Sequence, residues 1–348
     1  MPSDGRRTDN RAMPMSAHKL HRFSPRSLGW AAAVVTVLIW TSFILIARAS
    51  NDPARGGVLT PFDIAFCRIL GAGVILLPWG AYLVWRDRAQ GGVGASWLGV
   101  SPLAAGITVK TGFFGGLLYA LLVYSGFAYA PALHASVLLP GSLPLWTALL
   151  AAWLLGERLT PTRLMGLGLI VLGDLLVGGL SLLRAFDGGQ VWLGDVLFML
   201  AAMCWASYSV LARHHSLDAV RATIAITTLA CVVYLPGYSV LVLTGVVKGH
   251  VFTAPWRDLL FQAAFQGWGS VVVSGITFTQ MIRHYGPVRS TMITALVPGL
   301  SALGAVALLG EPLRWNLAAG LVLVTLGILF GVRASLPVAI KKEAAYPG

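Results

Sequence analysis

The chain has 348 residues, 57% hydrophobic and 11% charged, with a net charge of +12 and a mean hydropathy of +0.77. A soluble domain carries about 25% charged residues, so the composition argues against a water-exposed globular fold. Basic residues placed between apolar runs read as membrane topology rather than nucleic-acid binding.

Residues 1–27 form a basic tail. Ten apolar runs of about 20 residues, the length of a helix across a bilayer core, follow at 28–47, 62–85, 111–130, 133–155, 162–182, 192–212, 222–245, 259–281, 289–309 and 315–333. The expected fold class is an all-α membrane protein of ten transmembrane helices. Ala47-Arg48-Ala49 imitates a leader-cleavage site, but the first run exceeds the usual length of a signal h-region, so it is expected to stay as a helix. It holds Trp40 at mid-span, where an interfacial belt has no use for it.

The second run opens with Asp63 and carries Arg68 about seven residues in. A charge inside a membrane helix is costly and marks a ligand or gate group; snorkelling, or a bond to a neighbouring carbonyl, is the structural alternative. The third run carries Tyr119 and Tyr124. The fourth begins near His134, expected to be wetted, and contains Pro140 and Pro144, expected to bend it.

Gly156-Glu157 and Thr160-Pro161 then read as a turn and a helix cap, with the Glu157 and Glu311 carboxylates expected to accept amides of the next helix. The fifth run contains Asp174, the acidic residue deepest in any run and the candidate for proton coupling. The sixth opens with Asp195, read like Asp63 as a helix N-terminal charge, and carries Trp205 and Tyr208. Pro236-Gly237 interrupts the seventh. The eighth supplies Gln262, Gln266, Thr277, Thr279 and Gln280, polar groups that need partners within a bundle. Pro298 lies in the ninth, and residues 336–348 form a second tail.

Cys67, Cys204 and Cys231 sit singly in apolar runs, with neither metal-ligand spacing nor a disulfide framework. Of the 25 Lys and Arg residues, 18 flank one side of the expected bundle and 6 the other, with Arg68 inside. Both termini are therefore expected in the cytoplasm.

The chain repeats itself. Segments 144–173 and 298–327 align at an offset of 154, matching Pro144 with Pro298, Gly156-Glu157 with Gly310-Glu311, Gly166 with Gly320 and Gly173 with Gly327. Trp40-Thr41-Ser42-Phe43 aligns with Trp205-Ala206-Ser207-Tyr208, and Arg48 with Arg213. Two five-helix halves, 28–182 and 192–335, are expected to be joined by a linker at 183–191. An odd number of helices per half inverts one half against the other, an architecture of transporters.

With Phe66-Cys67-Arg68 in the second run and the repeated proline-to-Gly-Glu spacing, the chain resembles the EamA-like family of the drug/metabolite transporter superfamily over about 28–335. The resemblance implies ten helices in inverted repeats and export or exchange of small metabolites across a bacterial inner membrane. It names no substrate. The first run lacks the acidic residue on which small multidrug exporters rely, and the second half has no counterpart of Arg68.

The function expected is secondary transport by alternating access, without a cofactor, the partners being a small-molecule substrate and the lipid bilayer. The substrate-binding candidates are Trp40, Arg68, Tyr119, Trp205, Tyr208 and Gln266, lining a midplane cavity between helices one, three, six and eight. An intramembrane lipid-modifying enzyme would need a cluster of ionisable groups at one interface, and a membrane scaffold would not need the duplication. No Walker-type glycine loop is present, so a gradient or exchange would drive transport.

Overall fold

The computed structural model describes residues 25–91 and 95–333, without the side chains of 25–27, 282–284, 286–289, 291, 292, 332 and 333. The tails at 1–24 and 336–348 lie outside the described residues, as do the side chains of Arg283, Arg289 and Arg333.

The chain is helical throughout the described apolar runs: α1 (Pro25–Asn51), α2 (Pro61–Ala89), α3 (Ala105–Tyr129), α4 (Ala132–Leu155), α5 (Pro161–Leu183), α6 (Val191–His214) and α7 (Ala219–Leu243). Then come α8, built from Trp256–Gln262, Ala263–Val273 and Ser274–Thr294, followed by α9 (Leu296–Leu309) and α10 (Trp315–Arg333). Among the described residues, eight helical segments are long and apolar enough to cross a membrane, and the helices at Leu296–Leu309 and Trp315–Gly331 are shorter.

Local chemistry sets the boundaries. Thr60 caps α2 ahead of Pro61, and its hydroxyl and the Asp63 carboxylate form a reciprocal capping box. Thr160 accepts from the Arg163 amide ahead of Pro161, as its sequence suggests. α4 and α9 both end on a glycine with left-handed backbone, Gly156 at φ 68° and Gly310 at φ 64°, a conformation glycine adopts without a Cβ penalty. α4 breaks at Ser142, between Pro140 and Pro144. α7 runs unbroken through Pro236.

The expected ninth run at 289–309 is corrected: Ser274–Thr294 forms one helix through the gap expected between 281 and 289, and α9 is confined to Leu296–Leu309. Proline removes one ladder bond, and the neighbours of a membrane helix can make good that loss, so Gly286-Pro287 alone does not end the helix.

α3 and α8 each contain a π-helical segment, Phe113–Leu118 and Ala263–Val273. The helices pack in a reciprocal pattern. α1 lies on α8 as α6 lies on α3, α2 lies on α8 as α7 lies on α3, and α4 meets α9. α5 and α10 touch along glycines: a Cβ on Gly166 would stand 2.7 Å from the Gly327 carbonyl oxygen, and one on Gly173 2.7 Å from that of Gly320. Small residues let the two backbones close on one another, as membrane interfaces require.

Candidate functional site

Arg68 owes its place to glycines. A Cβ on Gly71 would lie 2.2 Å from the Ala263 carbonyl oxygen, and one on Gly267 2.7 Å from the Gly71 Cα. The two backbones meet there, so Arg68, one turn before Gly71, stands beside the π-helical segment of α8. Its Nη1 donates to the Ser270 hydroxyl at 3.0 Å and to the Gln266 carbonyl at 3.4 Å, and its guanidinium lies over the Phe43 ring, 5.6 Å from the centroid. Arg68 therefore turns into the bundle rather than snorkelling. Among the described residues it has no carboxylate within ion-pair distance.

Gln266 is fully buried. Its Oε1 accepts from the Tyr124 hydroxyl at 3.0 Å, while its Nε2 has no hydrogen-bond partner. Phe43 packs edge-on against Tyr124 at 6.1 Å. Tyr119 and Trp205 pack at 4.9 Å, and Trp205 and Tyr208 at 5.2 Å. Trp40 packs on Phe278 at 5.2 Å. Trp40, Arg68, Tyr119, Trp205 and Tyr208 are half-buried.

The structure thus joins Arg68 and Gln266 through Phe43 and Tyr124, joins Tyr119, Trp205 and Tyr208 in a second aromatic group, and seats Trp40 one helical turn from Phe43. Neither Ser270 nor Phe278 is marked by the sequence pattern as a site residue. A π-helical register is invisible to periodicity counting, so nothing marked Ser270.

Asp174 stands apart, on α5. It is 7% exposed, and neither carboxylate oxygen has a partner. A cavity of about 340 Å3 lies between α2, α3 and α7, walled by Phe62, Leu117, Leu121 and Tyr234 among others, away from the expected position between helices one, three, six and eight.

Three expectations are corrected here. Asp195 lies beyond the first turn of α6, nearly buried, where it bonds the His134 Nδ1 at 2.8 Å and the Ser181 hydroxyl. His134 is consequently packed and paired, its side chain 12% exposed. The carboxylate sits between imidazole and hydroxyl and ties α4, α5 and α6 together. Glu311 does not cap the following helix. Its two oxygens accept the Ala132 and Leu133 amides at 2.8 Å each, at the start of α4, and Arg48 approaches to 3.7 Å. In the other direction Glu157 pairs with Arg213 and, at 3.5 Å, with Arg163.

These features define a multi-pass helical membrane protein with a polar cluster inside its bundle. The EamA-like transporter family model matches residues 27–179 and 192–333, and the chain belongs to that family. It is 32% identical over 180 residues to an "Uncharacterized transporter" of Archaeoglobus fulgidus, covering 51% of this chain and 54% of that one. It is 26% identical to the "Uncharacterized transporter YyaM" of Bacillus subtilis over 66% and 72% of the two chains. It is also 26% identical to the "Pseudopaline exporter CntI" of Pseudomonas aeruginosa over 57% and 60%. The first of these alignments thus spans about half of the relative's length. A solved crystal structure matches with a TM-score of 0.52 at 21% identity, over 88% of this chain and 97% of that one, a likeness of fold.

Proposed function

We propose that this chain is a secondary transporter, an exporter or exchanger of small metabolites in a bacterial inner membrane, and that it works by alternating access of two inverted halves, 28–182 and 192–335. One observation carries the reading. Arg48 and Arg213 are equivalent across the repeat, as are Glu157 and Glu311, and the pairs form crosswise: Arg48 with Glu311 and Arg213 with Glu157. Crosswise pairing of equivalent residues is what a two-fold relation between halves produces. The glycines of α5 and α10 obey the same rule, Gly166 meeting Gly327 and Gly173 meeting Gly320. In an inverted arrangement the two ion pairs fall at opposite membrane faces, each bridging the halves.

The substrate is taken to bind among Trp40, Arg68, Tyr119, Trp205, Tyr208 and Gln266. Asp174 is taken to carry the coupling proton, because a buried carboxylate with no partner is costly to keep ionised. The name of the P. aeruginosa relative supports the export direction.

Thiol accessibility tests the cycle without a known substrate. A single cysteine at Tyr119, in a background lacking Cys67, Cys204 and Cys231, is probed with a membrane-impermeant reagent from each side. Glu311→Ala is expected to raise its reactivity from one face and Glu157→Ala from the other. Reactivity from the same single face in both variants sinks alternating access. Uptake and efflux of amino acids, nucleosides and sugars in vesicles then identifies the cargo class.

A further inference from the structure

Arg68 lies seven residues into α2, roughly 10 Å along the helix at about 1.5 Å per residue. Its side chain turns toward α8 inside the bundle rather than toward the helix end. A guanidinium carries five N–H donors and no acceptor. Here Nη1 donates to the Ser270 hydroxyl and the Gln266 carbonyl, Phe43 covers one face of the plane, and no described carboxylate neutralises the charge. Beside it the amide nitrogen of Gln266 is buried and unpartnered, an expense that a native bundle keeps for a reason. Tyr124 fixes that amide by bonding Oε1, which leaves the donor end free.

An unpartnered amide donor therefore lies beside a guanidinium with no carboxylate partner among the described residues, and a ligand that completes the site must supply acceptor oxygens and a negative charge. Aromatic groups elsewhere on the helices of the bundle offer apolar faces: Trp40 with Phe278, and Tyr119 with Trp205 and Tyr208.

We infer that Arg68 and Gln266 form a carboxylate subsite, and that the substrate class is an amphipathic metabolite with a carboxylate head and an apolar body. This rests on reading the chain as a transporter whose cargo enters the bundle. The planar fork meets the two oxygens of a carboxylate side by side, and the Gln266 amide adds a third donor. A cationic head is repelled by Arg68, and a neutral amide brings its own N–H groups against donors already present.

The test uses the purified full-length chain in detergent and three probes sharing one body: 3-phenylpropanoate, 3-phenylpropanamide and 3-phenylpropylamine. Binding is read from tryptophan fluorescence. The carboxylate is expected to bind at least tenfold more tightly than the amide, and the amine not measurably. Arg68→Gln should erase the preference, Arg68→Lys should keep part of it because a point charge lacks the fork, and Gln266→Leu should weaken carboxylate binding several-fold. Repeating the measurement in phosphatidylcholine nanodiscs with and without phosphatidate separates a soluble carboxylate from a lipid headgroup: competition by phosphatidate assigns the site to lipid and overturns the inference.

Failure of the carboxylate to bind, equal binding of the amide or amine, or an unchanged preference in a monodisperse Arg68→Gln variant also overturns it. Uptake of carboxylate-free compounds by wild-type proteoliposomes, with no carboxylate preference, removes the subsite and leaves the transporter reading standing. Arg68-dependent carboxylate binding without any exchange of bound for free carboxylate across the bilayer does the reverse.

Discussion

Glu311 and Glu157 hold the same position in the repeat and live in different surroundings. The Glu311 side chain is 12% exposed and satisfies two backbone amides as well as Arg48, whereas that of Glu157 is 36% exposed and meets two arginines near water. Stranding buried amides costs about 2 kcal/mol, and an exposed ion pair contributes about 0–1 kcal/mol. Glu311→Ala is therefore expected to lower the thermal unfolding midpoint in detergent clearly, and Glu157→Ala hardly at all. The reverse ranking contradicts this account of the two ends. Asp174 allows a second residue-level prediction. If it carries the coupling proton, Asp174→Asn should abolish uptake driven by a pH gradient yet leave substrate exchange at equal pH intact. Loss of both activities points to a packing role instead.

At the level of helices, close approach depends on glycines whose neighbours leave no room. A Cβ on Gly173 would meet Val324 Cγ2 at 2.6 Å as well as the Gly320 carbonyl, whereas Gly168, five residues earlier on the same helix, has nothing within 4 Å. Gly173→Val should destabilise the α5–α10 pair by about 1–3 kcal/mol through overpacking. Gly168→Ala should be neutral or stabilising by a few tenths, since alanine is the better helix former. Gly71→Ala pushes α2 from the π-helical segment of α8 and so should draw Arg68 away from Ser270. Its expected signature is reduced carboxylate binding in a protein that still elutes as a single species. Unchanged binding would mean that Arg68 is positioned by something other than this contact.

For the whole molecule, the uneven distribution of Lys and Arg, 18 against 6, predicts an orientation. Reporter fusions after Ser27 and after Gly348 should both register in the cytoplasm, and one near Gly188 on the far side. Termini on opposite faces would remove the inverted repeat, and with it the proposal that the two Arg–Glu pairs close opposite ends of one pathway.

Much of this protein was legible in its residues. Apolar run length places the described helices, except where α8 continues past the expected end of its run to Thr294, because a helix that crosses lipid must satisfy every backbone group within itself and cover itself in apolar side chains. The matched Gly-Glu turns and the Arg48 and Arg213 positions disclose the duplication, since equivalent helices keep equivalent caps. Arg68 stands out because a charge within an apolar run is costly wherever it points. Tertiary structure decided which helix each polar group meets: that Glu311 holds α4 rather than the helix after it, that Asp195 ties His134 to Ser181, and that Arg68 finds Ser270 and Gln266 on α8. Those contacts join residues far apart in the chain, and they depend on glycine-paired backbones and a π-helical register. Local periodicity reports the face a residue occupies on its own helix but carries no information about the helix that packs against it.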